Sequence, residues 1–340
     1  MVNYAVYCVQ GSFILVANAL VFVAIIRFKQ MRRKKEYLVV GALAFADALT
    51  GVAFLSAGIY RIPYVLAGDR TKVNSWYCMH TLHAFLFLLS EPMVAIMMFM
   101  VSVDRLLAIA APLRYYTLDH HYAHKLCAIF YTLSVTSFLY MYVLSYLEPR
   151  NVMRESILCN SNAAIGNPSG KAYYFGMRTI VGIGSVVLYV MIPMLFKRYT
   201  QKVDETLGSE QAKKQQLRAQ RRMAVTMGMS AALTLALYVL PNMVLTIVDA
   251  AKPFDQTTFN IIGPLASALV NLNPMLNIVL YMKRHKDMRA AVMAVVACRR
   301  QPNQTHPANY VVRYANRNST TVSGSGIRAL AGSTRLHSHM

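Results

Sequence analysis

The chain has 340 residues, of which 56% are hydrophobic and only 14% charged, and its mean hydropathy is +0.37. A soluble domain carries nearer a quarter charged residues, so this composition excludes an ordinary soluble protein. The formal net charge of +21 would suit nucleic-acid binding, but a nucleic-acid module does not contain membrane-length apolar runs. We therefore expect a lipid bilayer, and no nucleic acid, as a partner.

Seven long apolar runs follow one another along the sequence. Each is long enough to cross about 30 Å of hydrocarbon as a helix, and none shows the short alternating pattern of barrel strands. The runs cover residues 4–27, 37–60, 78–109, 126–147, 172–196, 223–248 and 259–282. A backbone in lipid must form its hydrogen bonds within its own helix, so the sequence predicts an all-α, seven-transmembrane helix bundle.

The basic residues predict how this bundle is oriented. The loops on one side, together with the C-terminal tail, hold 26 Lys and Arg residues, whereas the opposite loops hold seven. This bias places residues 1–3 outside the cell and the C-terminus in the cytoplasm. The first run lacks a basic leader, so we expect a retained span and not a signal peptide. The polar composition of residues 301–340 predicts a disordered cytoplasmic tail.

Polar residues inside the first, second and seventh spans predict contacts within the bundle. Asn18 lies in the middle of the first span, and Asp47 lies about ten residues, or about 15 Å, into the second. A carboxylate at that depth must face the interior and find a partner, for which the seventh span offers asparagines. Both a purely structural polar contact and a sodium- or proton-linked switch remain open. The candidate partners are Asn271, Asn273 and Asn277.

The third span carries charged residues at two depths. It ends in Ser102-Val103-Asp104-Arg105-Leu106, and an Asp-Arg pair is costly to place at a membrane boundary. Glu91 precedes Arg105 by 14 residues, which corresponds to about 21 Å along a helix. The pair is consistent with a functional site, but an Arg at a helix end can also simply extend its side chain toward the lipid headgroups.

These features resemble the rhodopsin-like (class A) G-protein-coupled receptors over residues 5 to 300. The Asp104-Arg105 pair resembles the family's Asp-Arg-Tyr motif with Leu106 in place of Tyr, and Asn277-Ile278-Val279-Leu280-Tyr281 resembles Asn-Pro-x-x-Tyr. The resemblance implies that Asp104 holds Arg105 at rest and that Arg105 turns to a heterotrimeric G protein on activation. Tyr189, Asn277 and Tyr281 are expected to belong to this switch.

The resemblance implies three further features. A disulfide is expected between Cys78, at the start of the third span, and Cys159. The basic stretch 283–300 is expected to form a short amphipathic helix on the membrane surface, with Cys298 as a candidate for palmitoylation. A buried polar network is expected among four residues, namely Asn18, Asp47, Asn273 and Asn277.

The resemblance also implies a ligand pocket between the outer halves of the helices. Our hypothesis places two charged residues there as ligand contacts, together with apolar and aromatic neighbours. The alternative is that Glu91 is protonated and bonds Asp47 or an asparagine of the seventh span. The candidate pocket residues are His83, Phe87, Glu91, Arg178 and Tyr238.

A tryptophan that most of the family has in the sixth span is missing here, which points to one subgroup of the family. Trp76 is the only tryptophan, so the sixth span has Tyr238-Val239-Leu240-Pro241 where most of the family has Cys-Trp-x-Pro. This loss is similar to the nematode serpentine chemoreceptors of the SRSX group, which implies a chemosensory receptor in the plasma membrane, with sensory cilia as a possible site. The ligand, a small molecule or a peptide, is not identified by the sequence.

Other classes of function fit the sequence less well. A retinal protein needs a Lys within the seventh span, and residues 259–282 contain none. No enzymatic activity and no cofactor are expected, because the histidines do not group with Ser and Asp inside the spans. His80 with His83, and His121 with His124, are spaced for one helix face, but without further ligands we predict no metal site. A neuropeptide receptor of the same fold, a ligand-gated channel and a transporter remain as alternatives.

Overall fold

The computed structural model describes residues 2–153, 155–206, 232–251 and 256–299, and these residues are almost entirely helical. The longer helices are α1 (Val2–Arg27), α3 (Lys35–Leu66), α5 (Leu82–Ala110), α7 (His120–Leu147), α9 (Pro168–Thr206), α10 (Leu240–Ala251) and α11 (Gln256–Arg284). The shorter elements are α2 (Lys29–Arg32), β1 (Lys72–Val73), α4 (Ser75–Met79), α6 (Pro112–Thr117), β2 (Glu155–Ser156), α8 (Ser161–Ile165), a π-helical turn (Leu235–Val239) and α12 (Lys286–Val296).

Six of the described helices are long and apolar enough to cross a membrane. They correspond to the first five apolar runs and to the seventh. The sixth run is represented by a shorter apolar stretch, Ala232–Ile247, because residues 223–231 lie outside the described residues. The loop between the fifth and sixth predicted spans covers residues 197–222, and residues 207–222 of it lie outside the described residues, as do all of residues 301–340.

The third apolar run is divided near its start. Cys78 lies in the short helix α4, and α5 begins four residues later at Leu82. The side chain of Asn74 caps α4 by accepting a 2.7 Å hydrogen bond from the backbone N–H of Tyr77. Thr81 then has an extended backbone, so the chain turns before α5 starts. The cysteine therefore precedes the spanning helix instead of opening it.

α1 and α3 pack closely because two glycines face each other. A Cβ added at Gly11 would lie 2.5 Å from the backbone nitrogen of Leu55, and one added at Gly51 would lie 2.5 Å from that of Leu15. Small residues let helix backbones approach closely in lipid, where dispersion and not hydrophobic burial holds helices together. This approach fixes α3 against α1 and presents its other face to α5.

The sixth span contains a π-helical turn just before a proline. Pro241 has no backbone N–H, so the regular helical ladder cannot continue through it. The side chain of Asn242 instead donates a 2.7 Å hydrogen bond to the carbonyl oxygen of Tyr238. The π turn turns Tyr238 and Val239 inward, where both are buried. π turns of this kind often occur at functional sites.

The disulfide joins a loop to the end of the bundle. Cys78 and Cys159 are bonded, with their Cα atoms 5.0 Å apart, as the sequence predicted. β1 and β2 pair antiparallel next to it, Lys72 with Ser156 and Val73 with Glu155. Residues 155–159 therefore lie across one end of the helices. We call this the disulfide end, and the opposite end, where Asp104 and Arg105 lie, the Arg105 end.

Candidate functional site

A cavity with about 320 Å³ of empty space lies among the helices. Glu91 on its wall is nine residues from the first residue of α5, which places it about 14 Å from the disulfide end. α5 continues for 19 residues beyond Glu91, so this wall lies in the half of α5 nearer the disulfide end. Asp47, in contrast, is 12 residues from the first residue of α3 and 19 from its last, which places it nearer the Arg105 end. The cavity therefore extends across the middle of the bundle. Its lining residues come from α3, α5, α9, the π turn and α11: Asp47, Thr50, Phe54, Glu91, Val94, Arg178, Tyr238, Val270, Asn271 and Pro274.

An ion pair between α5 and α9 forms one wall of this cavity. Oε2 of Glu91 lies 2.5 Å from Nη1 of Arg178, and the side chains are only 14% and 6% exposed. The hydroxyl of Tyr174 donates to the same carboxylate oxygen. A charge taken out of water is retained only where a partner and further hydrogen bonds compensate it. Both hydrogen-bonding partners of Glu91 here lie on α9, whereas the alternative sequence interpretation paired it with Asp47 or an asparagine of α11.

Three of the five predicted pocket residues meet at the cavity, namely Glu91, Arg178 and Tyr238. The other two lie nearer the disulfide end. Phe87 packs edge-on against Phe54, with ring centroids 4.8 Å apart, so it supports a lining residue and does not itself line the cavity. His83 is also buried and is bonded to the loop that crosses the disulfide end.

Side chains of α3 and α5 hold this loop through its backbone carbonyls. Arg61 donates from Nε to Leu158 at 2.8 Å and from Nη2 to Cys159 at 3.0 Å. Nε2 of His83 lies 2.9 Å from the carbonyl oxygen of Cys159. Tyr60 donates to the carbonyl oxygen of Ile157 at 3.2 Å. The loop is therefore fixed at the disulfide end by the disulfide and by three side chains.

Asp47 is buried and lines the same cavity as the ion pair. The predicted network around it is not joined by direct hydrogen bonds among the described residues. Nδ2 of Asn18 donates to the carbonyl oxygen of Ile14 at 2.9 Å, within its own helix. Nδ2 of Asn273 contacts Sδ of Met98 at 3.4 Å. Asn277 is buried on the same helix, α11, nearer the Arg105 end.

At the Arg105 end, Asp104 is fully buried and has a tyrosine partner. The hydroxyl of Tyr115 lies 3.1 and 3.2 Å from its two carboxylate oxygens. Within the described residues, no oxygen of Asp104 comes within 4.0 Å of a side-chain nitrogen of Arg105, so the hydrogen-bond partner differs from the one that the family resemblance implies. Burial raises the pKa of Tyr115, and the negative charge of Asp104 raises it further, so this hydroxyl remains a donor.

The short helix α6, which carries Tyr115, is attached to α3 by a lysine. Nζ of Lys35 donates to the backbone carbonyl oxygens of Tyr115 and Leu118, the latter at 2.8 Å. The same ammonium lies 3.9 Å from the centre of the Tyr115 ring. A cation above an aromatic ring is attracted by its quadrupole, so the contact holds the ring in place as well as the backbone. Lys35 therefore positions the hydroxyl that bonds Asp104.

The remaining switch candidates lie on two different faces of the bundle. Tyr189 of α9 packs with Ile109 and Ile192 at the Arg105 end of α5. Tyr281 of α11 packs instead against a cluster formed by α1, α3 and α12, which includes Met288. The structure thus brings Tyr189 near the Asp104-Arg105 segment, and it places Tyr281 beside the last helix.

The amphipathic helix α12 packs against α1 and α3. Its apolar face buries Met288, Ala291 and Val292, and Asp287 forms a 2.7 Å ion pair with Lys34. The hydrogen bond from Lys34 holds the pKa of the Asp287 carboxyl below its usual value. Cys298, the candidate for palmitoylation, is exposed just after this helix.

Sequence reasoning missed three residues that the structure makes central: Arg61, Tyr115 and Tyr174. No local pattern indicates their roles, because each one's partner is distant in sequence or depends on how a loop folds back. The sequence offered only one signal for these three residues, an arginine directly after a predicted span, and Arg61 stands at such a position.

Comparison with known proteins agrees with this architecture. The sequence profile of the family described as 7 transmembrane receptor (rhodopsin family) matches residues 17–281. The chain is similar to trace amine-associated receptor 7d of Mus musculus, with 24% identity over 310 residues, which are 87% of this chain and 82% of that receptor. It is also 23% identical to trace amine-associated receptor 7b of Mus musculus over the same proportions.

Proposed function

The chain belongs to the rhodopsin family of seven-transmembrane receptors, and from this premise we propose that it binds a small extracellular ligand in the central cavity and activates a heterotrimeric G protein. The family makes it a multi-pass membrane receptor and not an enzyme, and it implies both a ligand and a G protein.

The cavity carries this proposal because one space touches five of the spanning segments. A ligand there contacts Glu91 and Arg178, which join α5 to α9, and Tyr238, which lies in the π turn of the sixth span. α5 continues from Glu91 to Arg105 as one unbroken helix. A ligand that changes how these helices pack therefore acts directly on the element that carries the Asp104-Arg105 pair.

The charges around the cavity favour a small cation, such as a primary amine. Two carboxylates and one guanidinium line the cavity, and the opposite charges of Glu91 and Arg178 compensate each other in the ion pair. Asp47 is then the unmatched group, and a monovalent cationic ligand balances its charge at low dielectric. The cavity is small, which disfavours a peptide at this depth. The mouse relatives are named for trace amines, which agrees with this class.

Ligand-induced thermal stabilisation of the purified receptor in lipid nanodiscs tests the ligand class. Small primary amines are compared with neutral alcohols of the same carbon skeleton. A ligand at a hundred times its dissociation constant stabilises the folded state by about 2.7 kcal/mol, so binding amines raise the melting temperature and matched alcohols do not. Equal shifts for both members of every pair, or stabilisation by alcohols alone, would contradict the proposal of a cationic ligand.

Glu91→Gln separates ligand binding from an internal role of this residue. The variant removes one negative charge from the cavity and leaves Arg178 without its carboxylate, so we expect the affinity for a cationic amine to fall by roughly tenfold or more. Thr246→Val is the matched control, because it removes the 2.9 Å hydrogen bond to Thr179 between α9 and the sixth span without changing a lining residue. An unchanged amine response with altered basal activity would instead assign Glu91 to an internal polar contact.

We further propose that the disulfide end faces the outside of the cell and that the receptor is chemosensory. The excess of basic residues in the loops of the Arg105 end supports this orientation, as does the disulfide, which forms in oxidising compartments. The absence of tryptophan from the sixth span supports a nematode SRSX-type chemoreceptor, located in the plasma membrane and in sensory cilia. Localisation of a tagged receptor in sensory neurons tests this part.

A ligand-gated channel or transporter is the second candidate function. The observation in its favour is that Asp47 and Glu91 line one cavity deep in the bundle, as ionisable groups on an ion pathway do. Amine-evoked current across bilayers that contain only the purified chain would support it. Amine-dependent nucleotide exchange on purified G protein, without such a current, supports the receptor.

A further inference from the structure

Three side chains with metal-ligating atoms meet where α7 begins. They are Asp119, His120 and His121, and their ligating atoms all lie within 4.8 Å of one another. All three residues are exposed, so water and ions reach them freely. The sequence showed only the pair His121 and His124, whereas the fold adds a carboxylate and a second imidazole.

The carboxylate of Asp119 has one oxygen committed and one available. Its Oδ1 accepts a 3.0 Å hydrogen bond from the backbone N–H of His121, which caps the helix. Its Oδ2 lies 4.0 Å from Nε2 of His121. Because the cap uses only Oδ1, a cation bound to Oδ2 does not disrupt the helix terminus.

The distances suit an ion placed between these atoms. Zinc binds imidazole nitrogen and carboxylate oxygen at about 2.0–2.2 Å, so two ligands of a tetrahedral ion lie about 3.4 Å apart. The 4.0 Å separation of Oδ2 and Nε2 closes to this value through small rotations of exposed side chains. The ring of His120 is 4.3 Å from that of His121 and 6.1 Å from that of His124, one turn further along α7.

We propose that Asp119, His120 and His121 form a surface site for a divalent transition-metal ion of the zinc class, with His124 within reach as a fourth ligand. Imidazole with one carboxylate suits Zn²⁺, Cu²⁺ and Ni²⁺, whereas Mg²⁺ and Ca²⁺ prefer sites made only of oxygen. Water completes the coordination where His124 does not. Such an exposed, partly hydrated site exchanges its ion, so it responds to the free metal concentration.

The position of the site gives the bound ion a structural consequence. Asp119 directly follows Leu118, whose carbonyl accepts from Lys35, and α6 with Tyr115 lies just before it. An ion bound to Asp119 therefore lies one residue from the Lys35 contact that helps to position Tyr115 against Asp104. The site is therefore placed to regulate the Arg105 end, whichever ligand occupies the central cavity.

Titration of the purified full-length receptor in nanodiscs with Zn²⁺ alone tests the site, after alkylation of the accessible thiols. We expect saturable binding at one ion per chain with a dissociation constant below about 1 mM. The double variant His120→Ala with His121→Ala should bind at least about tenfold more weakly. His80→Ala is the matched control, since it removes an exposed histidine near the disulfide end and should leave the affinity unchanged.

A spectroscopic measurement keeps the proposal falsifiable if the double variant folds poorly. Cu²⁺ bound to the unmodified chain should give an electron paramagnetic resonance spectrum with hyperfine coupling to imidazole nitrogens, and Asp119→Asn should alter it. Neither measurement needs a ligand or a G protein, so failure here is distinct from failure of the proposed function. No saturable binding, or binding of the same affinity and spectrum in all variants, would overturn the metal site.

Discussion

At the scale of single residues, the hydrogen-bond partner of Asp104 is the hydroxyl of Tyr115. A buried carboxylate needs a donor, and the structure supplies a phenol from α6. A hydrogen bond to a charged group contributes about 1.5–3 kcal/mol, enough to favour one arrangement over another by about tenfold or more. We infer that this bond holds the Asp104-Arg105 segment in the arrangement seen here.

Replacement of Tyr115 by Phe should raise basal activity. The variant removes only the hydroxyl, so the ring stays beneath Lys35 while Asp104 loses its donor. We expect ligand-independent nucleotide exchange on G protein to rise by roughly tenfold or more, as the loss of one charged hydrogen bond allows. Tyr122→Phe is the control, because the hydroxyl of Tyr122 is buried next to Tyr115 and has no hydrogen-bond partner in the described part of the chain. Equal basal rates in the two variants would show that the bond does not restrain Arg105.

The sequence indicated those residues of the site that carry an ionisable group inside an apolar run. Glu91, Arg178 and Asp47 stand inside apolar runs, where an ionisable group is costly, and all three line the cavity. Tyr115 and Tyr174 were not predictable, because a tyrosine in or near an apolar helix is ordinary. Their roles depend on which carboxylate faces them, and that is set by helix rotation and loop geometry.

At the scale of elements, the loop at the disulfide end depends on more than its disulfide. Arg61 makes two hydrogen bonds to its carbonyls, and no carboxylate of the described residues lies within 4.0 Å of this guanidinium. A buried cation bonded only to neutral carbonyls is stabilised by the loop, and it stabilises the loop in return. The loop at the disulfide end is thus held partly by α3.

Arg61→Met should loosen this loop while the disulfide stays intact. The variant keeps the long apolar stem but removes both donors, so we expect hydrogen exchange of backbone amides in residues 155–159 to accelerate by about tenfold or more. Arg150→Met serves as the control, because Arg150 stacks over Trp76 and does not support those carbonyls by any hydrogen bond among the described residues. Unchanged exchange in Arg61→Met would mean that the disulfide and the other side chains fix the loop without Arg61.

The close packing of α1 on α3 gives a second prediction at this scale. Gly51→Ala places a methyl group 2.5 Å from backbone, where no flexible side chain can move aside, so the helices must separate. We expect a loss of stability of about 1–3 kcal/mol, measured as a lower melting temperature in nanodiscs. Gly176→Ala is the control, since a Cβ there meets nothing within 4 Å. Equal melting temperatures would contradict the packing described for these two helices.

The elements themselves were predicted better than their ends. Continuous apolar runs identify spanning helices because the bilayer fixes their length, and most described helices overlap their predicted runs. The break between α4 and α5 was missed because residues on both sides of it are apolar enough to continue one run. The π turn was likewise invisible, since it depends on how the backbone adjusts to Pro241 and Asn242.

At the scale of the whole molecule, the structure connects the two ends through α5. One helix carries Glu91 at the cavity and the Asp104-Arg105 pair near its other end, while loops held by Arg61 and Lys35 close the bundle at each side. The fold class followed from composition and span count alone. The coupling between the ends did not, because it requires knowing which faces of the helices meet.

Nucleotide exchange by a purified heterotrimeric G protein, measured with the receptor in nanodiscs and a saturating amine from the stabilisation screen, tests the central claim most directly. The account predicts that the amine accelerates exchange, and that Arg105→Gln abolishes the acceleration while amine binding persists. An Arg105→Gln variant that stimulates exchange as strongly as the unmodified chain would contradict it.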